Sequence, residues 1–254
     1  MLFLAPMADV AIADLSPSTA KAFDDYVKTA EARIGRQATG RQFLWCDGIK
    51  DARRKLAKGE VLAQPWVSEG DMGVAGGLIH DWVGAVFIPS VTLDTVVRGI
   101  QDYDRAKFIY KPEVMDSKLL SRDGDDFGVY MRLVKSKAGV TAVLNTEHAV
   151  HYTWISETRC VSQSHTTRIA ELINAGKADE RERPVGKDHG FLWRLNSYWR
   201  FEERDGGVYA ECEAISLSRS VPLGLGWLIN PIIHSLPKDS LTNTLRSARD
   251  SFKK

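Results

Sequence analysis

Little in this sequence points to chemistry. Three cysteines in 254 residues, Cys46, Cys160 and Cys212, are odd in number and far apart, so no disulfide framework is indicated. No C-x-x-C pair or Cys/His group at ligand spacing occurs, which removes a structural zinc and leaves free thiols, buried or half-buried. No uncharged apolar run reaches the roughly 20 residues that a membrane-spanning helix needs. A charge bias is missing too. Lys and Arg number 34 against 33 Asp and Glu, with ten of each up to Ala75. Such a chain has no basic half to offer a phosphate backbone, and nucleic acid is not expected as a partner.

Catalytic signatures are equally scarce. There is no G-x-S-x-G nucleophile turn, and the glycines of Gly73–Gly77 lack the basic residue of a phosphate loop. Of six histidines, His148 and His151 are three apart on a strand-like run, point to opposite faces and cannot share one ion. No metal and no cofactor is expected.

What is present is apolar patterning. At 44% hydrophobic, the chain can bury the core of one domain. Residues 1–13 are apolar and end in the small-x-small pattern Ala11-Ile12-Ala13, as at the end of a secretory signal, but without its basic start. They read either as a signal remnant of an exported or periplasmic protein whose true start lies upstream, or as the frayed end of a cytoplasmic one. Residues 14–75 read as an N-terminal helical extension packed on the main domain. Ser16 and Pro17 open a helix with a stripe of Ala20, Phe23, Val27, Ala30 and Ile34, and Gly35 is its expected stop. A short charged helix near 51–58 and an extended stretch follow.

From 76 to the end the texture is that of one further domain. "LIHDWVGAVFIPS" reads as a strand, and a helix capped by Ser90 or Thr92 carries Leu93, Val96, Val97 and Ile100. Strands follow around Met115–Leu120, Phe127–Val134, Thr141–Ile155 and Arg159–Leu172. The segment "NAGKADERERPVGKDHG" is a long polar loop, whose "DERER" is either solvated or a lid. A final hairpin precedes a helix from Pro237 with Leu241, Leu245, Ala248 and Phe252 on one face.

The hairpin turns at Asp205-Gly206, which favours a type I′ turn and sets Arg204 opposite Gly207. Arg194, Asn196, Tyr198, Arg200 and Glu202 then share one face with Glu211 and Glu213, expected to be wet, with Arg200 and Glu211 as an exposed cross-strand pair. Trp193, Leu195, Ser197, Trp199 and Phe201 share the other with Val208, Ala210, Cys212, Ala214 and Ser216. Large residues thus meet small ones, which gives either ordinary interdigitation or a pocket. On the earlier strands Met131, Leu144, Val150 and Tyr152 form the same apolar row, interrupted by Thr146 and His148. A turn at Ser156-Glu157 continues it through Gln163 and His165, setting His148 opposite His165.

The segments "DWVGAVFIPSVTLDTVVRGIQDYDRAKFIYKPEVMDSKLL" and "LNSYWRFEERDGGVYAECEAISL", the latter with the closing "VPLGLGWLINPIIHSLPKDSLTNTLRSAR", resemble the START-like, or SRPBCC, superfamily of helix-grip folds, over roughly two-thirds of the chain. That resemblance implies an α+β fold in which a curved antiparallel sheet wraps around a long C-terminal helix, with a cavity between them for a lipid or other apolar ligand. The expected partner is an apolar or amphipathic small molecule, with transient membrane contact allowed. The expected pocket is Met131, Leu144, His148, Val150, Tyr152, His165, Trp193, Leu195, Ser197, Trp199, Phe201, Ala210 and Cys212, with Leu241 and Leu245 of the closing helix. Two alternatives remain open: a cyclase-, aromatase- or hydrolase-type enzyme using His148 or His165 as acid-base, and a structural or partner-binding domain with a filled cavity.

Overall fold

The computed structural model describes residues 12–40, 42–66, 71–137, 140–220 and 226–253, with backbone alone at 137, 140 and 226–235. The apolar N-terminal stretch at 1–11 lies outside them. In chain order the elements are β1 (Ala13–Asp14), α1 (Pro17–Thr39), a 3-10 turn (Trp45–Gly48), α2 (Ala52–Ala57), β2 (Leu62–Pro65), β3 (Asp71–Val74) and β4 (Gly77–Pro89). Then come α3 (Leu93–Gln101), a 3-10 turn (Tyr103–Arg105), α4 (Ala106–Ile109), β5 (Val114–Asp123), β6 (Asp126–Lys137), β7 (Val140–Ser156) and β8 (Arg159–Ile173). The chain closes with β9 (Arg181–Glu182), β10 (Lys187–Asp188), β11 (Arg194–Arg204), β12 (Gly207–Arg219) and α5 (Gly226–Asp250).

The main sheet is antiparallel, in the order β2-β4-β12-β11-β8-β7-β6-β5, with β3 added to β4 and β9 to β8. One face holds α5 and α3, so the architecture is α+β of the helix-grip type. Gly84 shows how closely α5 crosses. A Cβ there would lie 2.7 Å from Leu245 Cδ1 and 2.7 Å from the Leu62 carbonyl oxygen, so only glycine admits the helix. The Asp205-Gly206 turn has positive φ at both residues, 55° and 76°, as a type I′ turn requires. The register follows, with Arg200 opposite Glu211 and Phe201 opposite Ala210.

Helix α1 starts where the capping chemistry dictates. The Ser16 hydroxyl accepts from the Thr19 N–H at 3.1 Å, and Pro17 takes the first helical position. It ends at Gly40 and not at Gly35, which sits on an open side of the helix where the absence of a side chain costs only helix propensity. Helix α3 is capped by Thr92. Helix α5 runs Gly226–Asp250, so Pro237 lies within it and does not open it as the sequence reading expected.

The largest correction concerns the face of the final hairpin expected to be wet. It is covered by α1, α2 and the turn between them. Arg200 is 1% exposed, and Glu211 and Glu213 are fully buried. Two apolar clusters frame these charges. Phe43, Leu44, Leu56, Val83, Phe87 and Tyr209 pack at one end; Phe23, Ile34, Ile79, Tyr198, Ile215 and Leu217 pack at the other.

Candidate functional site

Between the inner sheet face and the helices lies a cavity of about 350 Å³. Its occurrence follows from a gradient along the last hairpin. Near the Asp205-Gly206 turn, Phe201, Val208 and Ala210 pack solidly with Ile88, Leu93, Val96 and Leu245. Farther from the turn the residues shrink. Ser197 opposes Ala214, and Leu195 opposes Ser216, so the sheet and α5 leave space between them. Trp199 stands at the boundary, stacked on Phe201 with ring centroids 5.5 Å apart.

The expected pocket residues therefore divide. Met131, Leu144, His148, Val150, Tyr152, Leu195, Ser197, Trp199, Cys212 and Leu241 all line the cavity. Phe201, Ala210 and Leu245 belong to the packed core beside it. Trp193 precedes β11 and turns the other way, packing with Phe23 and Ile34 under α1 while its indole N–H donates to Asp188 Oδ1 at 3.0 Å. His165 is also misplaced in the sequence reading. The β7–β8 turn falls at Glu157-Thr158, one residue later than expected, and a bulge near Ile155 fixes the register with His165 opposite Ala149 and His148 opposite Thr166. A one-residue slip inverts a strand's faces. His165 accordingly lies on the outer face, 2.8 Å from Glu31 Oε1, and Ser162 and Ser164 take its place inside.

The acidic-basic segment "DERER" is no lid. Glu180 pairs with Arg132 at 2.9 Å and Glu182 pairs with Arg168, which fastens the segment to the outer face. The same long connection does supply the cavity with His189, Phe191 and Leu192, which the hairpin pattern could not foresee. Ile100, Tyr103, Ala106 and Tyr110 add a wall from α3 and α4.

The polar groups of the wall are mostly neutral. Tyr103 and Tyr152 share a hydrogen bond of 2.9 Å, and burial pushes both phenols up, Tyr103 to about 12. The His148 imidazole lies 2.9 Å from Thr146 Oγ1, and burial lowers its pKa to about 4, so it is uncharged at neutral pH. His80 Nε2 lies 2.9 Å from Ser218 Oγ. The charged groups at the wall are held by partners: Lys135 by Glu113 and by Ser240 at 2.6 Å, and Arg219 by the His189 carbonyl. The three thiols are buried and free, and burial raises the Cys160 thiol to about 12, far from a nucleophile's range. Among the described residues no three metal-ligating side chains come together.

No family model matches the sequence, and no curated protein is similar to it at a significant level. Solved structures are similar in overall chain path. A STAR-related lipid transfer protein of Xanthomonas axonopodis is 16% identical, with a TM-score of 0.47 over 73% of this chain and 99% of that one. A human lipid transfer and protein localization domain is 10% identical, with a TM-score of 0.45 over 81% and 98%. An aromatase/cyclase from a Streptomyces species is 10% identical, with a TM-score of 0.45 over 68% and 93%.

Proposed function

We propose that this chain binds an apolar or amphipathic small molecule of the lipid class between its sheet and α5, without covalent chemistry. The cavity itself carries the reading: about 350 Å³ of space lined by Met131, Leu133, Leu144, Val150, Leu195 and Trp199. Space of this size and lining is what a ligand site offers, since each 100 Å² of apolar ligand surface removed from water contributes about 2.5 kcal/mol. Binding is favoured over acid-base catalysis because the one histidine of the expected pair that faces the cavity titrates near 4 and has no carboxylate beside it to hold its charged form.

Native mass spectrometry of the protein as purified, with uptake of a fluorescent sterol, tests this. A non-covalent adduct or saturable uptake is expected. An adduct-free protein that takes up no apolar probe would overturn the reading and leave the filled-cavity alternative.

A further inference from the structure

The proton positions around His148 define what the ligand must present. Thr146 Oγ1 donates its single proton to the Met131 carbonyl oxygen at 3.0 Å. Toward His148 Nε2, 2.9 Å away, the same oxygen is therefore an acceptor, and the imidazole must donate from Nε2. The imidazole is neutral, so a proton on Nε2 leaves Nδ1 bare, as a lone-pair acceptor. The nearest protein donor to Nδ1 is the Ser164 hydroxyl at 3.5 Å, the outer limit of a hydrogen bond. His148 is only 8% exposed and lines the cavity, so its acceptor is sheltered from bulk water and poorly satisfied by the protein.

From this network we infer that the cavity selects an uncharged ligand whose hydroxyl donates to His148 Nδ1, with Ser162 and Ser164 flanking it. The inference rests on the reading that the cavity takes apolar ligands, and it specifies the polar end. A carboxylate has no proton to give Nδ1, and it would sit near hydroxyls and a neutral ring while the cations of the wall are already engaged, Lys135 by Glu113 and Ser240 and Arg219 by the His189 carbonyl.

The test uses three probes of equal chain length, 1-dodecanol, dodecyl methyl ether and dodecanoate, competed against a fluorescent sterol at neutral pH. The alcohol is expected to bind about tenfold tighter than the ether, the difference one buried hydrogen bond makes, and dodecanoate weakest. In His148→Phe the preference for alcohol over ether is expected to vanish. Ether binding without a preference for alcohol overturns this inference and leaves the apolar-site reading standing; so does dodecanoate binding as tightly as the alcohol. If none of the three binds, both fall. Nitrogen NMR of wild-type His148 gives a readout independent of any variant. A proton on Nε2 is expected, with the Nδ1 resonance moving when dodecanol is added, and a proton on Nδ1 in the free protein would overturn the assignment.

Discussion

The two faces of the sheet solve opposite problems. The inner face is apolar and incompletely filled, so it has room for something that is not protein. Across β4, β11 and β12 the outer face is rich in charge and filled, because α1, α2 and the turn between them cover it. On the outer face Arg200 Nε donates to Glu211 at 2.8 Å and Nη1 to the Gln37 side chain at 2.9 Å, while Glu211 also accepts the backbone N–H groups of Trp45 and Cys46. Arg33 forks onto Glu213 and lies 3.7 Å over the Trp66 ring. Asp81 receives the Tyr26 hydroxyl at 2.7 Å, and burial, together with the nearby Glu213 charge, raises its carboxyl well above the usual range. Polar residues in a sheet are thus no sign of solvent. What matters is whether each finds a partner, since a buried charge is tolerated when paired and hydrogen-bonded.

The largest effect expected from this contrast is at Arg200. Arg200→Ala should cost about 3–5 kcal/mol, because it strands the buried Glu211 and leaves a void beside Gln37. Urea unfolding measures it. Combining Arg200→Met with Glu211→Gln, which removes both charges and keeps an acceptor for one of the two backbone N–H groups, should recover part of the loss. A cost below 1 kcal/mol for Arg200→Ala would mean that the outer face is wet after all.

Next in size is a pH effect from the inner face. The folded state holds His148 at a pKa of about 4, below the roughly 6.5 of the unfolded chain, so the unfolded chain binds more protons between these values. The stability tied to this histidine is therefore complete above about pH 7 and falls as acid is added, by about 2 kcal/mol at pH 5. His148→Gln should remove that share of the slope. Unfolding curves at pH 7.5 and 5 for the two proteins, read as a difference, isolate it from the other titrating groups, and parallel losses would place His148 in water.

The hairpin's own gradient supplies the third comparison. Ala210 is fully buried in packed core, so Ala210→Phe should cost about 1–3 kcal/mol by overpacking and leave the cavity largely as it was. Ala214, four pairs farther from the turn, lines the cavity, and Ala214→Leu should fill space at a cost below that of Ala210→Phe while reducing sterol uptake. Thermal melts beside uptake assays separate the two, and an equal loss of uptake in both would erase the boundary at Trp199.

Much of this was legible in the residues. The Asp205-Gly206 turn set the register of the last hairpin, and hydrophobic alternation put Met131 on the same face as Leu144, Thr146, His148 and Val150, as β6 and β7 pair them. Two things were not. The β7–β8 bulges shift pairing without a residue type that announces them, so His165 was assigned to the wrong face. The cover over the outer face is a long-range contact, which local alternation does not encode. One signal did bear on it. The near-continuous apolar run of β4, "LIHDWVGAVFIP", buries both of its faces, as a strand exposed to water on one side would not. The cavity's volume depends on how α5 and the 189–192 segment meet the sheet, which no single strand specifies.

The smallest effect distinguishes the two histidines that sequence alone set side by side. His165 Nε2 lies 2.8 Å from Glu31 Oε1 with side chains 42% and 35% exposed, joined by the Tyr198 hydroxyl, which donates to the same carboxylate at 2.9 Å. Solvent competes for such a contact, and half-exposed contacts of this kind contribute at most about 1 kcal/mol. His165→Ala should therefore lower stability by less than 1 kcal/mol and leave sterol uptake unchanged, since the side chain points away from the cavity. His148→Phe, on the opposite face and only 17 residues earlier in sequence, is expected to alter ligand preference. Were His165→Ala to change uptake as His148→Phe does, the inversion of β8 at its bulge would be wrong, and the sheet would need the register that puts both rings inside.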